Sequence, residues 1–146
     1  MNQITSYLTF NGNCREAMDF YKDCLGGDLY IQTVGESPMA DQMPPQMKNN
    51  IMHASLTHGG VILMGSDLCP ERLNQGNTVS LLLDCNSEEE VRTIYNKLAA
   101  GGKASHPPAN TFWGAYFGDL TDKYGFLWLL NFMPAVAEAN PMETSK

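Results

Sequence analysis

The chain has no long apolar run. Nothing in its 146 residues approaches the roughly 18–20 consecutive apolar residues of a membrane span, so no membrane role is expected. It is also short of positive charge. Sixteen Asp and Glu outweigh nine Lys and Arg, the net charge is −7, and the cations are scattered. Nucleic acids and anionic membranes draw much of their affinity from Lys and Arg neutralising phosphates, so neither is an expected partner. The four cysteines, Cys14, Cys24, Cys69 and Cys85, show no CxxC or other metal-ligand spacing. They read as free thiols of a reducing compartment. The first residues lack a basic segment followed by an apolar one, so secretion is not expected and a cytoplasmic location is. No GxGxxG or GxxxxGKS/T pattern occurs, which removes support for a nucleotide-binding loop.

What is present is a repeat. Asn13-Cys14-Arg15-Glu16, followed by Ala17, Phe20, Tyr21, Cys24 and Leu25, has the same form as Ser87-Glu88-Glu89-Glu90, followed by Val91, Ile94, Tyr95, Leu98 and Ala99. Each opens as a capping box, in which an N-cap side chain and a Glu three residues on satisfy each other's backbone donors. Each continues with apolar residues at the spacing of an amphipathic helix and stops at a Gly pair, Gly26-Gly27 or Gly101-Gly102. A β-rich run precedes each helix, residues 4–10 and 78–85.

After the first helix, residues 28–34 alternate as a strand. Residues 35–50 form a Met- and Pro-rich loop that is either a cover over a cavity or a solvent loop. Residues 51–57 and 61–66 flank His58-Gly59-Gly60 and predict a hairpin. The second half repeats the pattern: a helix over 88–100, a brief strand near 103–105, a loop at His106-Pro107-Pro108, and a hairpin from strands near 113–120 and 126–132. The tail, 136–146, lacks a core pattern. One α+β domain over 1–135 is expected, with two βαβββ modules, 1–67 and 76–135. Each module has a curved mixed sheet covered by a helix on one face, and together the two enclose a ligand cup.

These residues resemble the vicinal-oxygen-chelate superfamily of glyoxalase I, extradiol dioxygenases, and fosfomycin and bleomycin resistance proteins, most closely its PhnB-like branch. Three stretches carry the resemblance: Tyr7 to Cys14 leading into Phe20-Tyr21 and Leu25-Gly26-Gly27; His53-Ala54 running to Met64-Gly65-Ser66-Asp67; and Thr111-Phe112-Trp113-Gly114 followed by Phe117-Gly118 and Thr121 to Trp128. The resemblance implies paired βαβββ modules, usually in a homodimer. In metal-dependent relatives it also implies one divalent ion held by His or Glu on the first and fourth strands of each module.

At those positions this sequence departs from the pattern. The first-strand position falls on Ser6, and its counterpart on Val79 or Ser80. The fourth-strand positions fall on Met64, or Leu63 in a slipped register, and on Leu129. Aliphatic side chains offer no nitrogen or carboxylate donor, so no cofactor is expected, and a metal only at a non-standard place.

His53 is the candidate catalytic residue. It is either a general base, proton donor or anchor in the cup, or a sheet histidine bonded to a carbonyl. Ser6, His53, Met64, Trp113, Tyr116 and Leu129 are the candidate ligand contacts. His58 and His106 are expected in solvent, and Asp67 and Asp122 as turn-capping carboxylates. If Leu129 faces the ligand, Trp128 must pack under the helix. The expected function is the binding of a small apolar or aromatic molecule in a metal-free cup. The alternative is a lyase, isomerase or dioxygenase-like enzyme using His53. Methyl transfer is not expected.

Overall fold

A computed structural model describes residues 1–69 and 72–134. The tail expected over 136–146 lies outside the described residues. The chain divides into two compact units, Met1–Asn74 and Gln75 onward.

The first unit runs β1 (Ser6–Thr9), α1 (Cys14–Leu25), β2 (Asp28–Thr33), β3 (Ile51–His58) and β4 (Val61–Ser66). Its sheet has the order β1-β4-β3-β2, with β1 parallel to β4 and the other pairs antiparallel. The second unit runs β5 (Ser80–Asp84), α2 (Glu88–Ala99), β6 (Lys103–Asn110), β7 (Tyr116–Thr121) and β8 (Leu127–Phe132), in the order β5-β8-β7-β6 with the same senses. Two four-stranded mixed sheets with one helix each make the α+β fold that the repeat predicts.

Each helix forms because its apolar residues recur on one stripe and bury against one face of its sheet. Met18, Tyr21 and Leu25 of α1 are buried, as are Leu8, Phe10, Ala54, Leu56 and Leu63. In the second unit Val91, Tyr95 and Leu98 of α2 are buried together with Leu120, Trp128 and Leu130. Each buried Leu, Val or aromatic side chain contributes about 1.5–3 kcal/mol relative to exposure.

Both glycine pairs end their helices, and Gly26 and Gly101 adopt φ +79°. The second glycine of each pair answers a tighter demand. A Cβ on Gly27 would collide with the Thr57 carbonyl oxygen, and one on Gly102 with that of Thr121. Only a hydrogen lets the chain pass so near its sheet.

Four expectations about local structure change. Asn13 makes no side-chain cap bond. Instead the Asp67 carboxylate accepts the backbone N–H of Gly12 (2.8 Å), Cys14 (3.0 Å) and Ile51 (2.7 Å). That arrangement competes successfully because it satisfies donors from two segments at once. At α2 the box is offset: Ser87 accepts from Glu90 N–H, while the Glu90 side chain accepts from Asn86 rather than from the cap residue. The strand expected near 103–105 extends through His106-Pro107-Pro108 to Asn110. Prolines are tolerated there because β6 is an edge strand. Finally, β7 starts at Tyr116, because residues 111–115 are folded into a turn by Thr111 and Ala115, whose N–H, carbonyl and hydroxyl groups bond one another. The loop 35–50 contains three short 3-10 turns, Val34–Glu36, Ala40–Gln42 and Pro45–Met47; the first is closed by a capping box between Thr33 and Glu36.

Candidate functional site

A strand sends alternate side chains to opposite faces, so the buried residues under each helix identify what stands on the open face. In the first unit Leu8, Leu63, Ala54 and Leu56 lie on the helix side. The open face then carries the row Tyr7–Met64–Ser55–Tyr30, with one residue from each strand in direct register. His53, paired with Gln32, stands on the same face, and its ring centroid is 6.1 Å from that of Tyr7. Among the described residues the half-buried His53 imidazole makes no hydrogen bond, so it is not bonded to a sheet carbonyl.

Ser6 is corrected by this register. It pairs with the buried Leu63 and shares the helix side with Leu8, so the open-face residue of β1 is Tyr7. A one-residue shift of alignment reverses every side chain of a strand, so adjacent positions 6 and 7 face opposite sides. The alternation Tyr7, Thr9 against Leu8, Phe10 was the signal that separates the two. Met64 does stand on the open face.

In the second unit Trp128 and Leu130 are buried under α2, and Leu129 is turned away from it. The Trp128 indole donates to Asp122 Oδ2 at 2.9 Å. The conditional expectation about sidedness therefore holds. Leu129 belongs to the row Leu82–Leu129–Asp119–His106. A second row, Asp84–Asn131–Phe117–Ala109, lies beside it, and Asn131 Nδ2 donates to Asp84 Oδ1 at 3.1 Å.

Tyr116 is the second correction. It is buried on the helix side, where the Arg92 guanidinium lies over its ring at 5.8 Å and donates to its hydroxyl at 3.5 Å. Phe117 is the aromatic residue of β7 that faces outward. Trp113 is half-exposed in the turn before β7, 6.3 Å from the Phe117 ring and 4.9 Å from that of Phe112.

His58 is exposed beside Gly26. His106, expected in solvent, is exposed yet paired: its Nδ1 lies 3.0 Å from Asp119 Oδ1. Asp119 had no linear signal, because its partner is thirteen residues away on another strand. Asp67 and Asp122 are buried structural acceptors. Asp122 Oδ1 takes the N–H of Tyr124 (2.8 Å) and Phe126 (3.1 Å).

Comparison with known proteins adds to this geometry. The family model described as 3-demethylubiquinone-9 3-methyltransferase matches residues 2–131. The chain belongs to this PhnB-like family. It is 34% identical over 137 residues to protein YjdN of Escherichia coli K12, covering 88% of this chain and 93% of that one. The crystal structure of PA1353 from Pseudomonas aeruginosa is similar at 40% identity and TM-score 0.80, covering 91% and 98% of the two chains. A Bacillus cereus PhnB protein, described as a putative 3-demethylubiquinone-9 3-methyltransferase, is similar at 30% identity and TM-score 0.72, covering 90% and 99%. A glyoxalase/bleomycin resistance protein/dioxygenase family enzyme from Burkholderia phytofirmans shares the fold at 18% identity and TM-score 0.59, covering 88% and 98%.

For this PhnB-like chain the superfamily's metal positions can be tested against the side chains present. The open-face residues of the first and fourth strands are Tyr7 and Met64 in one unit and Leu82 and Leu129 in the other. A phenol, a thioether and two isobutyl groups do not fit a divalent ion that needs imidazole or carboxylate donors. Among the described residues no three His, Cys, Asp or Glu lie together in a metal-holding group.

Proposed function

We propose that this PhnB-like protein binds a small apolar or aromatic molecule against the open faces of its sheets, with no metal ion in the superfamily's customary place. The observation that carries this reading is the character of those faces. Tyr7, Tyr30 and Leu82 are each more than half exposed, at 52%, 58% and 58%, on rows that also hold Met64 and Leu129. Large apolar side chains kept in water at register positions of a sheet lose free energy unless something covers them. The half-buried His53 beside Tyr7 supplies a polar group to orient a ligand, as concave apolar sites commonly do.

The test is titration of the full chain with 1-naphthol by calorimetry and by ligand-observed NMR. Saturable binding that weakens about tenfold in Tyr7→Ala supports the reading, a change worth about 1.4 kcal/mol. Absence of saturable binding across a set of aromatic fragments overturns it.

A second reading, in which His53 gives or takes a proton in lyase, isomerase or dioxygenase-like chemistry, is favoured by one observation: its imidazole has no hydrogen-bond partner among the described residues. Turnover that survives His53→Ala would remove it. Methyl transfer, named in the family description, finds no support in the sequence, which has no glycine-rich nucleotide loop. The same exposed apolar residues support a homodimer, which light scattering of the purified chain would reveal as a doubled mass. Four free cysteines support a reducing, cytoplasmic setting.

A further inference from the structure

The second unit's open face holds a histidine–carboxylate pair. His106 Nδ1 stands 3.0 Å from Oδ1 and 3.2 Å from Oδ2 of Asp119. A carboxylate can only accept, so Nδ1 carries the hydrogen. In the neutral imidazole Nε2 then keeps its lone pair, on a side chain that is 79% exposed.

The local fold is shaped around this pair. The pairing of β6 with β7 shifts register on both sides of His106, and such irregularities re-aim a side chain. Gly118 is required as well: a Cβ there would fall against the His106 carbonyl oxygen and the Pro108 nitrogen. From the opposite side, the Tyr95 hydroxyl of α2 donates to the Asp119 carbonyl at 2.7 Å and steadies its backbone. Asp119 borders Leu129 in its row, and Phe117 stands two residues along the same face with Trp113 beside it. Residues two apart on one face of a strand are about 6.5 Å apart, so a ring resting on Phe117 can present a hydroxyl to the imidazole paired with Asp119.

We infer that His106 and Asp119 form a proton-accepting site for an aromatic or enolic ligand with a weakly acidic hydroxyl. The ring rests against Phe117 and Trp113, and the hydroxyl donates to His106 Nε2. The O–H bond breaks and its proton forms the Nε2–H bond. The electron pair stays on oxygen as phenolate or enolate, and the imidazolium remains paired with Asp119. No oxidant or co-reactant enters. The other charged and polar groups that the register places on this face are Lys103 of β6, Thr121 of β7, Ser80 and Asp84 of β5 and Asn131 of β8. An imidazole whose tautomer is set by a carboxylate is suited to this task.

This inference rests on the aromatic-ligand reading above, and one experiment separates their failures. The full chain is titrated with 4-nitrophenol, whose neutral and ionised forms absorb at different wavelengths, while saturable binding is followed by ligand-observed NMR. The bound probe should ionise about one pH unit below the free probe, a tenfold change in its ionisation equilibrium. His106→Gln and Asp119→Asn should each abolish that shift while saturable binding persists. Binding with no shift, or with the same shift in both variants, overturns the proton-accepting role and leaves the ligand reading standing. Absence of saturable binding overturns both.

Discussion

Asp67 Oδ1 accepts the backbone N–H of Cys14 at 3.0 Å, so the end of β4 closes the first turn of a helix that begins 53 positions earlier. The same carboxylate also holds Gly12 and Ile51. Asp67→Ala strands these donors, two of them buried, and should cost about 3 kcal/mol. Asp67→Asn keeps one accepting oxygen and should cost less. Urea unfolding checks both, and an unchanged midpoint in the alanine variant would contradict the role.

The buried thiols should make the protein sensitive to alkali. Burial, then the nearby Asp67 charge, push Cys14 from 9.0 up to about 12 against an opposing pull from Arg15. Burial, with Glu90 and Asp84, pushes Cys85 up to about 11. Above pH 9 the unfolded chain therefore sheds thiol protons that the folded chain keeps, so stability is fully present below pH 9 and falls as pH rises toward those values. Cys14→Ala should flatten the decline in urea midpoint above pH 9. A thiol reagent at mild pH should modify the partly exposed Cys69 first and reach Cys14 and Cys85 only on unfolding.

Sidedness gives a sharp contrast in ligand binding. Tyr7→Ala should weaken 1-naphthol about tenfold, whereas Ser6→Ala and Tyr116→Phe should leave its affinity unchanged, because Ser6 and Tyr116 stand on the helix sides of their sheets. Calorimetric titration of the three variants checks this, and an equal loss in Ser6→Ala would contradict the strand register.

Two glycines should differ in tolerance. Gly102→Ala drives a methyl group into the Thr121 carbonyl and should cost about 1–3 kcal/mol. Gly60→Ala meets nothing within 4 Å and should stay within about 0.5 kcal/mol of the parent. Thermal unfolding followed by circular dichroism ranks them.

Much of the fold was legible because its signals are local. The stripe Ala17, Tyr21, Cys24 and Leu25, the glycine pair after it and the His58-Gly59-Gly60 hairpin each announce themselves within a few residues. The site was legible only in part. Met64 and Leu129 stood out through the family resemblance, and His53 and Trp113 through their chemistry, but Ser6 and Tyr116 fall on the helix sides of their strands. Burial of Leu8 and Leu120 decides which face of each strand is covered, and every neighbour follows by alternation.

The order of amino acids alone determined two copies of one α+β unit and an acidic chain, because composition and periodicity act along the backbone. Only tertiary structure decided that Tyr7 meets His53, that Asp67 closes α1, and that β6 bends to set His106 against Asp119. These contacts join segments 13 to 53 positions apart, and the free energy that selects them comes from burying the helix face of each sheet. No short stretch of chain carries that quantity.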